Sequence, residues 1–390
     1  MTRTKENNKA DKTGTTVFHL VEEYLNGEYD IRFNEVSLNI EISKKGENQW
    51  NECNENSLFV ELRKKNIQIP MGSLTAILRS EFVPYFNPIK SYFENLPKWD
   101  GGVDYISKYA SYIKLGSLED NEQFIYQFKK WCVRAVKCAL ISGYFNKQAF
   151  ILSDGGKGQN IGKSTWCRYL CPEALESYIA EDMGGADKDT RILLCKNLLI
   201  NLDELAAFQK KEINQLKALL SKDKINERLP YDRKNSVLPR IASFIGSTNQ
   251  STFLQDETGS VRWLCFTVDS IDFSYKKEFK IEGLWAQAYH LSKSNSFDET
   301  MTREDIQQNE LRNKKYQIST TEHQMLFSYF EKPTNGTGEF LTSADIVNYI
   351  TLTSATRLRL TTVNMGKALT KEGFEKKTAN GRSLYLVNKR

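Results

Sequence analysis

FILSDGGKGQNIGKSTWCRYLCP, residues 150–172, holds the end of an apolar run, a glycine-rich loop and the start of a helical pattern. Ala149-Phe150-Ile151-Leu152 predicts a buried strand, and Gly162-Lys163-Ser164-Thr165 closes the loop that follows it. This is the layout of a phosphate-binding loop. Backbone N–H groups of the loop and the helix start can face a polyphosphate, Lys163 can reach its outer phosphates, and the Ser164 hydroxyl can ligate Mg²⁺. The spacing departs from the usual G-x-x-x-x-G-K-S/T, because Lys157 stands where the first glycine is expected. Two openings fit: Gly156 begins a loop one residue longer, or Gly158 begins one a residue shorter. Gly-Lys-Ser-Thr alone also fits an ordinary turn into a helix, so the rest of the chain has to decide.

Downstream, Lys196-Asn-Leu-Leu-Ile-Asn-Leu-Asp203-Glu204-Leu205 is an apolar strand ending in two adjacent carboxylates. A Mg²⁺-dependent ATPase needs such a pair, Asp203 to hold the ion's water shell and Glu204 to polarise the attacking water. Pro239-Arg-Ile-Ala-Ser-Phe-Ile-Gly-Ser-Thr-Asn249 is a third strand with a polar end, and the Asn249 amide there can orient that water. Arg262 follows, just ahead of an apolar run over 264–268, where a guanidinium can serve as an arginine finger on a neighbouring subunit. A surface ion pair is the plainer reading of one arginine. Taken together and in this order, the four elements indicate a nucleotide hydrolase.

Between the second and third elements lies KALLSKDKINERLPYDRK, residues 217–234. Lys222, Lys224, Arg228, Arg233 and Lys234 surround Tyr231, and Pro230 argues against one unbroken helix. An exposed hairpin of this composition suits a single nucleic-acid strand through phosphate contacts and stacking, although a charged surface loop has the same composition.

The 390 residues suggest two or three domains, and 40% hydrophobic with 26% charged content is that of an ordinary globular chain. No apolar run is long enough for a membrane span and the polar N-terminus has no signal-peptide core, so a cytoplasmic protein is expected. Seven cysteines (Cys53, Cys132, Cys138, Cys167, Cys171, Cys195, Cys265) lack zinc spacing and read as buried thiols. The net charge of +5 says little, but its placement says more: residues 356–390 carry nine Lys or Arg against Glu372 and Glu375. That excess is a footprint for phosphate backbones, or else a solvated tail.

In order, residues 1–15 read as a disordered tail and 16–96 as an N-terminal α/β accessory module of helices and alternating strands. Residues 97–147 read as a helical collar whose Trp131 belongs to the core, and 148–300 as the nucleotide-binding domain. A helical connector is expected over 301–338. Residues 339–390 read as a small winged helix: a recognition helix over 361–374 bearing Lys367 and Lys371, then a hairpin wing over 376–387 bearing Lys376, Lys377 and Arg382, with Asn380-Gly381 as its turn. DNA binding is the preferred role of this unit over protein docking.

These motifs in this order resemble the virulence-associated E (VapE/VirE-type) proteins of phages, plasmids and integrated mobile elements, which are similar to superfamily 3 helicases of the AAA+ class. The resemblance rests on Asn87-Pro88 through Trp99-Asp100-Gly101, Gln159-Asn160-Ile161-Gly162-Lys163-Ser164-Thr165, Leu202-Asp203-Glu204, Leu229-Pro230-Tyr231-Asp232-Arg233, and Gly246-Ser247-Thr248-Asn249 followed by Arg262. It spans residues 29 to 270 or so. It implies an α/β P-loop AAA+ core that hydrolyses ATP with Mg²⁺ as a ring, commonly a hexamer, on single-stranded DNA during replication of the element. By the same matching, Lys163 and Ser164 are the Walker A pair, Asp203 and Glu204 Walker B, Asn249 the polar sensor and Arg262 the finger. The 222–234 stretch resembles the hairpin that touches DNA. Many relatives carry a primase domain; the N-terminal module here is short and lacks an acidic constellation, so primase activity is not expected. Two other functions stay open: an origin-binding initiator whose ATP site controls assembly, and a nucleotide switch that loads a host helicase.

Overall fold

The computed structural model describes residues 16–157, 160–181, 183, 187–205, 210–228, 234–254, 261–318, 320–333, 337–354, 359–379 and 381–390. The expected tail 1–15, Gly158, Gln159, the hairpin tip 229–233 with Arg233, Arg357 and Asn380 lie outside the described residues.

Helix α1 (Val17–Glu28) leads into an antiparallel pair, β1 (Tyr29–Asn34) and β2 (Asn39–Lys44). Ile31 faces Ile42 and Phe33 faces Ile40, so alternation places the apolar side chains on one side of the sheet. Strand β3 (Asn51–Glu52), helices α2 (Glu55–Lys64) and α3 (Met71–Leu78), and strand β4 (Tyr85–Phe86) complete the unit, with strand order β3-β2-β1-β4. Val21, Leu25, Leu58, Leu62 and Leu74 close over the apolar side. The polar side reaches the rest of the chain where the Asn34 amide donates to the Tyr178 hydroxyl at 2.7 Å.

Helix α4 (Pro88–Glu94) starts where Asn87 caps it and Pro88 occupies its first turn, a position at which a missing N–H costs nothing. Helix α5 (Tyr105–Ala110), strand β5 (Ile113–Leu115) and helix α6 (Asn121–Leu140) follow. The stretch expected as a helical collar is thus broken by β5. Three residues are too few for strand alternation to register in the sequence. Then come β6 (Ala149–Ser153), α7 (Lys163–Tyr169), β7 (Ile179–Glu181), α8 (Lys188–Lys196), β8 (Leu199–Leu202), α9 (Lys210–Leu220), β9 (Lys224–Glu227), β10 (Ser236–Pro239), β11 (Ser243–Thr248) and β12 (Trp263–Ile271). The strand expected from Pro239 onward begins only at Ser243, because Pro239 closes β10 and Arg240 is buried in the connection. Helices α10 (Tyr275–Glu278), α11 (Ile281–Lys293) and α12 (Arg303–Asn313) end this part.

The central sheet runs β5-β12-β6-β11-β8-β7, with β12, β6, β11, β8 and β7 parallel and β5 antiparallel at the edge. Both faces are covered, which is why β6, β8 and β11 read as unbroken apolar runs. On one face Phe150, Leu152, Ile245, Leu264 and Phe266 pack with Phe124, Phe128 and Trp131 of α6 and Trp285 of α11. On the other Ile151, Ile200, Phe244 and Cys265 pack with Leu194 of α8 and Leu216 and Leu220 of α9. The segment expected as a collar therefore supplies an edge strand and a covering layer of this sheet. A buried ion pair, Lys130 to Asp305 at 2.9 Å, and the Arg134 guanidinium on the Glu299 carbonyl at 2.7 Å tie α6 to the chain entering α12.

The C-terminal unit comprises α13 (Thr321–Tyr329), β13 (Phe330–Glu331), β14 (Glu339–Thr342), α14 (Ser343–Thr353), α15 (Thr362–Lys371), β15 (Lys376–Ala379) and β16 (Arg382–Lys389). Strands β14 and β15 flank the start of β16, and β13 pairs with its end. Leu326, Phe330, Ile346, Ile350, Met365, Leu369 and Val387 form its separate core. All seven cysteines are free thiols. No described helix is long and apolar enough to cross a membrane.

Candidate functional site

The loop after β6 opens at the C-terminal end of an inner strand of the parallel array, with β11 and β12 on either side, a position where open α/β sheets bind ligands. Gly155, Gly156 and Gly162 hold φ values of +70°, +85° and +86°, which only glycine adopts without strain. Gly158, one of the two candidate first glycines, lies outside the described residues. Gly162 stands in the left-handed conformation ahead of α7 and brings Lys163 into the helix.

Lys163 points back into the loop. Its ammonium donates to Asp154 Oδ2 at 3.1 Å and to Asn249 Oδ1 at 2.9 Å, and both Lys163 and Asp154 are buried. Asp154 also accepts from the Gly156 N–H at 2.9 Å, which pins the opening of the loop to the same carboxylate. Beside it, the Ser164 and Ser247 hydroxyls donate to Asp203 Oδ1 at 2.6 Å and 2.7 Å and stand 2.9 Å from each other. Arg168, one turn further along α7, reaches Asp203 Oδ2 at 3.4 Å while pairing with Glu181. Partial burial pushes the Asp203 carboxyl up, but the two hydroxyls, the Glu204 N–H and Arg168 outweigh it and hold the group below the usual carboxylate range. Asp203 is therefore ionised at neutral pH.

Glu204 is exposed, and its backbone sits at φ +50°, a left-handed conformation that costs a non-glycine residue free energy and is concentrated at functional sites. Its N–H donates to Asp203 Oδ1 at 3.1 Å. Thr165 lies on α7 and lines a cleft with Arg168 and Glu181. Among the described residues no three His, Cys, Asp or Glu side chains gather as a metal cluster. A cation here would be held by Ser164, Asp203 and Ser247 with oxygens of water and ligand, the donor set of a hard ion such as Mg²⁺.

The structure thus brings together Lys163, Ser164, Asp203, Glu204 and Asn249 from three adjacent strand ends. It keeps Arg262 apart. The Arg262 carbonyl accepts from the Ala149 N–H at the opposite end of β6, roughly 15 Å from the loop across a five-residue strand, and its Nε donates to Ser221 Oγ at 3.1 Å. Within its own chain Arg262 does not reach the site. Three residues given no role in the sequence also stand here. Ser247 lies two before Asn249 and so shares its strand face, Arg168 lies four after Ser164 and so shares its helix face, and Asp154 directly follows β6. Those periodicities were the available signals.

Away from the loop, β9 and β10 pair as an antiparallel ribbon with Lys224 opposite Pro239 and Glu227 opposite Ser236. Lys224, Arg228 and Lys234 are exposed on or beside it, and Lys222 at its foot is half-buried. In the C-terminal unit, Lys367 and Lys371 are exposed on α15 and Lys376, Lys377 and Arg382 on the β15–β16 hairpin. The Lys377 ammonium lies 3.5 Å from the Phe340 ring centre, which draws it across β16 toward β14.

The model of the virulence-associated protein E-like domain matches residues 93–318. The chain belongs to the virulence-associated E family. The span matched by the VapE-like domain takes in the whole central sheet, the loop after β6 and α12, and leaves the β1–β4 module and the C-terminal unit outside. The chain is similar to an apo structure of the NrS-1 C-terminal region, with 10% identity, 96% of this chain and 99% of that chain covered, and a TM-score of 0.48. An A-form apo structure of the same region gives 11% identity, 95% and 99% coverage, and a TM-score of 0.43. No curated protein matches the chain.

Proposed function

We propose that this VapE-like chain is a Mg²⁺-dependent ATPase with a P-loop core of the AAA+, superfamily 3 helicase-like type, and that it acts as a ring, a hexamer, on single-stranded DNA during replication of a phage, plasmid or other mobile element. The observation that carries the reading is the convergence of Lys163, Ser164, Asp203, Glu204 and Asn249 on the loop after β6. Lys163 moves from Asp154 to the phosphates, and Ser164 and Asp203 hold the ion. Mg²⁺, when bound, neutralises charge on the phosphate oxygens. Asn249 orients the attacking water and Glu204 takes its proton. Arg262, remote from its own loop, serves the site of an adjacent subunit. The ribbon β9–β10 and the C-terminal unit, read as a winged helix, supply cations for the DNA backbone.

Turnover of ATP should rise when single-stranded DNA is added, in a species of ring-sized mass that displaces a strand without any host protein. Absence of turnover under every DNA condition would overturn the motor reading. The exposed cations of α15 and the β15–β16 hairpin favour one alternative, an ATP-controlled initiator that binds duplex origin DNA. Site-specific duplex binding with little turnover is its signature. Mixing Arg262→Ala protein with Lys163→Ala protein should restore part of the ATPase, because each completes a composite site for the other. No recovery in a verified mixed oligomer would remove Arg262 from the mechanism.

A further inference from the structure

We infer that Phe273 is the platform on which the base of the bound nucleotide stacks, an assignment that rests on the phosphate loop being a nucleotide site. The sheet order gives the direction of the ligand. Lys163, Asp203 and Asn249, the groups suited to the outer phosphates, all lie on the β11–β8 side of the loop, so the nucleoside end leaves on the opposite, β12 side. That side meets the loop at Gly155, Lys157 and Gly162. Thr267 Cγ2 would meet a Cβ on Gly155 at 3.2 Å, Asp269 pairs with Lys157, and a Cβ on Gly162 would lie 2.2 Å from Phe273 Cζ.

Phe273 therefore rests on the backbone of the glycine that precedes Lys163. It is nevertheless 46% exposed, whereas four of the six tryptophans, Trp131, Trp166, Trp263 and Trp285, are fully buried. Tyr275, buried, lies 26° from parallel to the ring with centroids 6.3 Å apart, and the Lys276 ammonium stands over the ring 5.3 Å from its centre. An aromatic face held at the nucleoside exit, with a cation beside it, binds a base by stacking and is indifferent to its hydrogen-bonding edge. The requirement for glycine at 162 gains a second cause: any side chain there would displace the ring.

The test compares calorimetric binding of Mg·ATP and of Mg·tripolyphosphate, which has the phosphates and no base, to wild type, Phe273→Ala, Phe273→Trp and Lys163→Ala. Phe273→Ala should weaken ATP about tenfold and leave tripolyphosphate within about twofold, with Phe273→Trp restoring ATP. Lys163→Ala should weaken both. Equal ATP affinity in wild type and Phe273→Ala overturns the inference, as does equal weakening of both ligands, which would make the ring a support of the loop. Tighter binding of both in Phe273→Ala overturns it too and makes the ring a cover. Failure of wild type to bind either ligand refutes the nucleotide site itself, and the inference with it. Thermal unfolding of Phe273→Ala should match wild type, since a half-exposed ring leaves no core cavity.

Discussion

Glu204→Gln should retain ATP binding and lose about 10²- to 10⁴-fold in turnover, the range over which a positioned general base acts. The division of labour between the paired carboxylates supports this. Asp203 already accepts from Ser164, Ser247, the Glu204 N–H and Arg168, so its oxygens have little capacity left for a proton in transit, and in the proposed mechanism they hold the ion. Glu204 is exposed, and its left-handed backbone turns it out of the strand that places Asp203. Glutamine keeps the size and the hydrogen-bonding reach but cannot accept a proton. Single-turnover hydrolysis measured beside equilibrium binding separates the two effects. Asp203→Asn should instead weaken Mg·ATP binding, and full turnover in Glu204→Gln would assign the base elsewhere.

Arg240→Ala should destabilise the fold by about 3–5 kcal/mol, read as a fall in thermal or denaturant midpoint before any activity is considered. Arg240 is 1% exposed, and burial lowers its pKa from the ordinary value without removing its charge. Its partners are carbonyls: Leu220 at 2.8 Å, Asn146 at 2.7 Å and Ala242 at 2.9 Å, with Leu219 and Lys222 further off. Several belong to the end of α9, where the helix dipole is negative, so the guanidinium closes that helix and joins it to β11 and to the chain before β6. Lysine cannot replace the planar fork and should recover little. Arg262→Ala, at a half-exposed site whose Nε donates to the Ser221 hydroxyl, should leave the midpoint unchanged. The two substitutions are thus expected to differ, Arg240→Ala acting on stability and Arg262→Ala, under the proposed mechanism, on turnover.

Neither the burial of Arg240 nor the remoteness of Arg262 was legible in the sequence, and the reason is general to this chain. Elements whose identity is carried by their own residues were readable: the apolar runs of β6, β8 and β11, the glycines before Lys163, the carboxylates after Leu202 and the amide of Asn249. A parallel strand buried on both faces announces itself locally. What depends on which strands become neighbours did not appear. Ser247 meets Ser164 and Asp203 only because β11 lies between β6 and β8, and β5 is a strand only because the end of β12 offers it an edge. Asp154 gains its meaning from a lysine nine positions later that folds back on it. Gly246, quoted only as part of a motif, is required because a Cβ there would stand 2.4 Å from the Leu202 carbonyl oxygen.

The seven thiols have a practical consequence. Burial pushes Cys53 up to about 11, Cys171 and Cys195 to about 12, and Cys132, Cys138, Cys167 and Cys265 upward as well, so the folded chain presents almost no thiolate to an alkylating reagent. Labelling at each position becomes a local clock for opening. Cys53 times the N-terminal sheet, Cys167 the helix after the glycine-rich loop, Cys195 and Cys265 the α8 side of the central sheet, while the C-terminal unit, whose separate core holds no cysteine, can open without resetting any of them.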